Sequence, residues 1–191
     1  MVVMNRQRLL GVTLFCWKKT KSSIDDWARS EKEFSIKENL ERLNISCNSI
    51  EKVFLTHAHY DHISGIIHFP NAQVYMTSLE YESLYDEKNK HKECLEEVKK
   101  ILRNRDVILF DEEIIVDDIK LKRRGGHTPG SMSIELDKFL FSGDALFVQD
   151  NVKYNIPVGF TQNKEVSDKL LEEYRNFSGK VITSHDIGEV V

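Results

Sequence analysis

The sequence predicts an α/β protein. Short apolar runs of strand type alternate with stretches of helical period along most of the chain. Three of the runs lead straight into loops that carry histidine or aspartate, after Leu55, after Phe141 and after Thr183. Loops at strand ends are where proteins of this class carry their chemistry.

Taken in order, Leu9 to Trp17 is the first expected strand. Arg6 and Arg8 ahead of it suggest a secretory start, but Lys18, Lys19 and Lys21 follow at once and no small-x-small cleavage site is present, so a buried strand is the better reading. The stretch 18–34 is polar and weakly patterned. A helix follows Ser35, where Ser35 and Glu38 have the spacing of a capping box and Ile36, Leu40 and Leu43 recur with helical period. Lys52 to Leu55 is a short strand that runs into Thr56-His57-Ala58-His59-Tyr60-Asp61-His62. Ile63 to Phe69 is a short helix stopped by Pro70, Gln73 to Met76 a strand, and Leu79 to Tyr85 and His91 to Asn104 are helices. Val107–Phe110, Ile114–Val116 and Ile119–Lys122 are short strands, and Gly125 to Gly130 is a loop by composition. Ser131–Leu136 and Phe139–Phe141 form a hairpin about Asp137-Lys138. Glu165 to Phe177 is an amphipathic helix, and Val181 to Thr183 a last strand ending at Ser184-His185-Asp186.

With 191 residues, 40% of them hydrophobic, the chain has room for a single domain, residues 1–191, and one real core. A net charge of −4 offers no basic stripe for nucleic acid. No run approaches the roughly 20 apolar residues that span a bilayer. Cys16, Cys47 and Cys94 are odd in number and far apart, so reduced thiols in a cytoplasmic protein are expected rather than disulfides.

The histidines carry more information. Imidazole and carboxylate are the donors that zinc-like cations prefer. His57 and His59 are two apart, so an extended backbone points both the same way. Asp61 and His62 are adjacent, and a turn there aims them at a second point nearby. A catalytic metal needs about three protein ligands, and a pair needs six or seven. The chain offers His57, His59, Asp61 and His62 in one segment and His127, Asp144 and His185 elsewhere. A chance His-x-His-x-Asp-His run is on the order of one in a thousand, so these seven are read as metal ligands. His68 and His91 lack such a setting and are read as ordinary surface or helix-face residues.

The motifs resemble those of the metallo-β-lactamase fold superfamily. Thr-His-Ala-His-Tyr-Asp-His-Ile-Ser-Gly (56–65) is similar to its signature, Gly-His-Thr-Pro-Gly-Ser (126–131) to its third-histidine motif, Phe-Ser-Gly-Asp-Ala-Leu-Phe (141–147) to its bridging-aspartate motif, and Ser-His-Asp (184–186) to its last-histidine motif. The resemblance implies a four-layer αβ/βα sandwich with two metals at one edge of its sheets. It implies that His57, His59 and His127 bind one metal, Asp61, His62 and His185 the other, and that Asp144 bridges them. Two zinc ions are expected, iron or manganese being compatible with the same donors. A hydroxide between the metals would attack a small-molecule ester or lactone, and Asp61 would act in catalysis by handing a proton to the leaving group. The closest echoes are N-acyl homoserine lactonase-like enzymes, which carry a tyrosine where this chain has Phe147, and glyoxalase II-like thioesterases, which share the Gly-Asp-Ala-Leu-Phe wording. A thioesterase is therefore the alternative, and a non-catalytic metal-binding remnant a third reading. The Asp-Thr-Gly turn with which such chains brace the metal loop has no counterpart here. The N-terminal half is expected to be short, rearranged or completed by a partner subunit in a homodimer.

Overall fold

The computed structural model describes residues 2–5, 8–11, 36–86 and 92–186. Two five-stranded sheets make its centre. The first holds β1 (Val2–Asn5), β2 (Arg8–Gly11), β3 (Lys52–Phe54), β4 (Gln73–Thr77) and β5 (Val107–Phe110) in the order β2-β1-β3-β4-β5. β1 pairs antiparallel with β2 and β3, whereas β3, β4 and β5 are parallel. Parallel neighbours need crossovers. Here these are α2 (Tyr60–Ile63) with the 3-10 turn Ser64–His68, and then α3 (Ser78–Ser83) with α4 (Lys92–Arg103). The second sheet holds β6 (Glu113–Val116), β7 (Ile119–Arg123), β8 (Met132–Leu136), β9 (Phe139–Phe141) and β10 (Lys180–Ile182) in the order β10-β9-β8-β7-β6. It is an antiparallel meander closed by the parallel pair β9–β10, whose crossover carries α5 (Gln149–Tyr154) and α6 (Lys164–Arg175).

Strand alternation sorts the apolar side chains into three separate cores. Val53 and Leu55, with Val74 and Met76, face outward to Leu40 of α1 (Ile36–Arg42) and to Leu95, Val98 and Leu102 of α4. Phe54 and Tyr75, one residue out of phase, face Leu121, Ile134, Phe141 and Ile182 of the second sheet. Leu140 and Val181 turn the other way and meet Leu170, Leu171 and Tyr174 of α6. Helices, sheet, sheet, helices is the four-layer sandwich expected from the motifs.

The tight turns follow local chemistry. Asp117 and Asp137, between β6 and β7 and between β8 and β9, sit at φ 53° and 50°. Asp tolerates this left-handed region better than most residues because its short side chain can bond to nearby backbone.

The sequence reading differs from the structure at several points. It places a helix over Ile63 to Phe69, where the α-helix is Tyr60–Ile63 and the 3-10 turn Ser64–His68 follows it. It begins the first strand at Leu9, whereas β1 precedes β2 in the chain and joins it in a hairpin on the edge of β3. It leaves 149–154 unassigned, where α5 forms; Asn151 of that helix is buried, and its side-chain oxygen accepts from Phe147 and Val148 N–H. Residues 12–17 of the expected strand, the cap residue Ser35, Cys16 and His91 lie outside the described residues. No described helix is long and apolar enough to cross a membrane.

The layers make unequal demands on their residues. Leu121 is fully buried between the sheets, and Ile115, on the edge strand of the same sheet, is 66% exposed. Leu121→Ala should cost about 2–5 kcal/mol of stability, while Ile115→Ala should stay within about 0.5 kcal/mol. Chemical denaturation of both variants checks this, and equal losses would contradict the three-core arrangement.

Candidate metal centre

The C-terminal ends of β3, β9 and β10 and the connection between β7 and β8 meet at one rim of the sandwich. Each end delivers part of the histidine set. After β3 the chain bends at Thr56, is extended again at His59 and then coils into α2, with His59 as its N-cap residue, Asp61 in its first turn and His62 in its last. The loop 124–131 brings in His127. Gly143 follows β9 at φ +52°, where a Cβ would lie 3.0 Å from Thr56 Cβ. Glycine permits both the conformation and the contact, and Asp144 is thereby presented to the β3 loop. Backbone bonds stitch the rim together: Met132 N–H donates to Thr56 O, Ser142 N–H to Ile182 O, and His185 N–H to Phe147 O at 2.7 Å.

All seven predicted residues converge. His57, His59, His127 and Asp144 form one group and Asp61, His62 and His185 a second; within each, the donor atoms lie within 4.8 Å of one another. His59 Nδ1 is 3.1 Å from His57 Nε2 and 3.0 Å from His127 Nε2. Asp144 stands between the groups. Its Oδ2 is 3.6 Å from His57 Nε2 and 3.4 Å from His127 Nε2. Its Oδ1 is 3.1 Å from His62 Nε2 and 3.2 Å from His185 Nε2. Asp61 lies at the outer side, 3.5 Å from His62, its side chain 43% exposed.

The donor set fits a metal site. His62 Nε2 and Asp144 Oδ1 are buried and face each other out of hydrogen-bond geometry. Buried polar atoms without partners are costly, and here they aim at a common point. The far sides of two rings are already engaged. His127 Nδ1 lies 2.7 Å from the carbonyl of Phe160, so it carries the proton and donates, leaving Nε2 with its lone pair toward the centre. His57 Nδ1 contacts Thr56 Oγ1 at 3.2 Å.

The electrostatics agree. Burial lowers the pKa of His57 well below its ordinary range, and His62 beside it adds to the effect. His59 is pushed down to about 4, first by desolvation of its inward side and then by His127. Burial alone would raise Asp144, but the imidazoles of His185, His62 and His57 hold it far below the usual carboxylate range. For His185 burial is again the largest influence and acts downward; Asp144 opposite outweighs it, and the pKa rises. Neutral His57 and His59 beside an ionised Asp144 are in the protonation state in which such groups bind cations.

His68 lies at the end of the 3-10 turn Ser64–His68, outside both groups. Phe147, marked in the sequence only by its departure from a motif, flanks the centre: its ring centroid is 5.9 Å from that of His127 and 5.1 Å from that of His185. Glu80 is a residue the sequence reading misses. It is 1% exposed and its carboxylate reaches the backbone of the His57–His59 loop. The signal present in the sequence is Thr77-x-x-Glu80, a capping spacing like that at Ser35.

Residues 26–184 match the family model of the metallo-beta-lactamase superfamily. A probable metallo-hydrolase of Methanocaldococcus jannaschii is 29% identical over 163 residues, covering 85% of this chain and 70% of the relative. An N-acyl homoserine lactonase from a Bacillus species is 27% identical over 157 residues, covering 78% of this chain and 60% of the relative. Among solved structures, a dizinc quorum-quenching lactonase superposes with a TM-score of 0.66 at 16% identity, over 81% of this chain and 64% of its own. This chain thus spans less than two thirds of either lactonase.

The shifted histidines make the metal-free protein acid-sensitive. A histidine whose folded pKa lies below its unfolded value is protonated first in the unfolded chain. For His59 the folded value is about 4 against an ordinary 6.5. Its contribution is therefore intact above pH 6.5 and is lost as pH falls toward about 4, with His57 acting in the same sense, whereas His185, whose folded pKa is raised, changes its contribution only above pH 6.5. The urea midpoint of chelator-treated protein should fall across that window, and His59→Asn should flatten the slope. An unaltered slope in the variant would refute this account.

Proposed function

Because the chain belongs to the metallo-beta-lactamase superfamily, we propose that it is a metal-dependent hydrolase of small esters, lactones foremost. The observation that carries the reading is the carboxylate of Asp144, set between two groups of histidines with one oxygen toward each. That is the placement of a bridging ligand. His57, His59 and His127 would hold one ion, and Asp61, His62 and His185 the other. Nitrogen and oxygen donors in this ratio suit zinc, with iron and manganese as alternatives. A metal pair held there would polarise the substrate carbonyl and lower the pKa of bound water to about 7.

The chain supplies the remaining functions. Phe160 O fixes the His127 tautomer, which keeps Nε2 available. Asp61 is open to solvent, its side chain 43% exposed, and it hands a proton to the leaving group. Phe147 walls the site between His127 and His185 and offers no hydroxyl to a carbonyl oxygen. That missing donor favours a second reading, a thioesterase of glyoxalase II type. The free thiol of Cys47 suits a reducing, cytoplasmic setting.

Two measurements bear on this. Elemental analysis of reconstituted protein should give two metals per chain. Asp144→Ala should lose at least one of them together with activity, whereas His68→Ala should keep both. Well under one metal per wild-type chain, or equal damage from the two substitutions, would sink the metal reading. The second concerns Phe147. A missing oxyanion donor typically costs about 10²–10³ in rate, and the metals recover part of it. Phe147→Tyr should therefore raise lactone turnover by about tenfold or more. Its ring is only half-buried, so the melting temperature should hold to within a few degrees. Unchanged or lower lactone turnover, with thioester turnover retained, would put the thioesterase ahead.

A further inference from the structure

Glu80 is a buried carboxylate that faces no cation among its hydrogen-bond partners. It lies in the first turn of α3, capped by Thr77, whose Oγ1 accepts from Glu80 N–H at 3.4 Å. Three donors converge on its two oxygens. Oε2 accepts from Ala58 N–H at 2.8 Å. Oε1 accepts from Thr128 Oγ1 at 2.5 Å and from Gly130 N–H at 3.0 Å. Ala58 is the residue between His57 and His59, and Thr128 directly follows His127. Thr77 adds a strut of its own, donating to Gly130 O at 2.7 Å.

The approach is close enough to demand glycine. A Cβ on Gly130 would lie 2.6 Å from Thr77 Oγ1, 2.8 Å from Glu80 N and 2.9 Å from Glu80 Cγ. Helix start and loop are therefore locked face to face. Burial pushes the Glu80 carboxyl up, while the bonds from Thr128, Ala58 and Gly130 pull the other way. Burying a carboxylate without a salt-bridge partner is expensive, and it persists only where fixed donors replace water.

From this geometry we infer that Glu80 is a positioning residue for the metal centre, the tie that sets the His57–His59 loop against the His127 loop. One arm of the cluster comes from the first sheet and the other from the second, and no covalent connection shorter than 67 residues joins Ala58 to Gly125. Glu80 spans that gap with one side chain. It thereby does for this chain the bracing that the absent Asp-Thr-Gly turn would otherwise do. Hydrogen bonds behind metal ligands commonly govern affinity by 10- to 100-fold, so the effect should appear in metal binding before it appears in turnover.

The inference rests on the metal reading above, and the test separates the two. Purified chain, wild type and variants, is titrated with Zn²⁺ in competition with a chromophoric chelator, with circular dichroism and melting followed in parallel. Glu80→Gln keeps the size but places an N–H₂ where only acceptors fit. Thr128→Val removes a single donor, and Thr128→Ser restores it. Wild type should bind two equivalents. Folded Glu80→Gln should bind one of them about 10- to 100-fold more weakly; Thr128→Val should show a smaller loss in the same equivalent, and Thr128→Ser close to none. Should Glu80→Gln fail to fold, the Thr128 pair decides by itself. Wild-type affinity in folded Glu80→Gln, or in Thr128→Val where only that pair can be read, overturns the inference and leaves the metal reading standing. A wild type that takes no metal overturns both.

Discussion

The structure depends on a buried carboxylate, that of Asp144. Side-chain exposure there is 6%, and four imidazoles stand within 3.6 Å of its oxygens. Removing an ion from water costs several kcal/mol unless its surroundings replace the lost solvation. Around Asp144 that replacement comes from residues of three other segments, so the sheets, the rim loops and the left-handed Gly143 must all be in register for the site to exist. The same crowding keeps His57 and His59 neutral and leaves His62 Nε2 and Asp144 Oδ1 buried without a hydrogen-bond partner. Any cation that binds this state and not the unfolded chain would stabilise it by mass action, about 2.7 kcal/mol when present at one hundred times its dissociation constant. Folding and ligation are thus expected to be coupled rather than successive.

The division of labour between the sheets sets the spacing of the centre. His57 and His59 follow a strand of the first sheet; Asp144 and His185 follow strands of the second. The core between them, built on Phe54, Leu121, Ile134 and Phe141, fixes the distance over which the two halves of the site face each other. A small change in that packing moves ligands relative to each other, because close-packed interiors transmit strain.

Much of this was legible in the sequence, for identifiable reasons. Strands such as Lys52–Phe54 and Lys180–Ile182 are short apolar runs that end in ligand residues, and both periodicity and chemistry marked them. The seven clustered residues were visible because the chemistry concentrates rare residue types: a His-x-His-x-Asp-His run arises by chance too seldom to pass for an ordinary polar turn. What escaped lacked such a mark. The α5 segment Gln149–Tyr154 is short and polar, and it forms because Asn151 bonds to the backbone on either side of it, which is a tertiary fact. Val2–Asn5 is too short for a pattern and takes its place from pairing with β3. Glu80 reads as one charged residue on a helix among many; only the fold shows its carboxylate turned inward to loops 22 and 48 residues away.

The opposite rim has its own closure. There Lys52, at the start of β3, pairs with Asp117 in the turn between β6 and β7 at 2.5 Å, fastening the two sheets where no ligand is near. Lys138, in the turn between β8 and β9, is exposed on the same side. A sandwich clasped separately at its two rims can be altered at one with little cost at the other. The Asp137–Lys138 turn belongs to that clasp, since Lys138 O accepts from Lys180 N–H at 2.6 Å and lies against Gly179, so a fluorescent reporter or an affinity handle is better attached to the exposed Lys138 side chain than spliced into the turn.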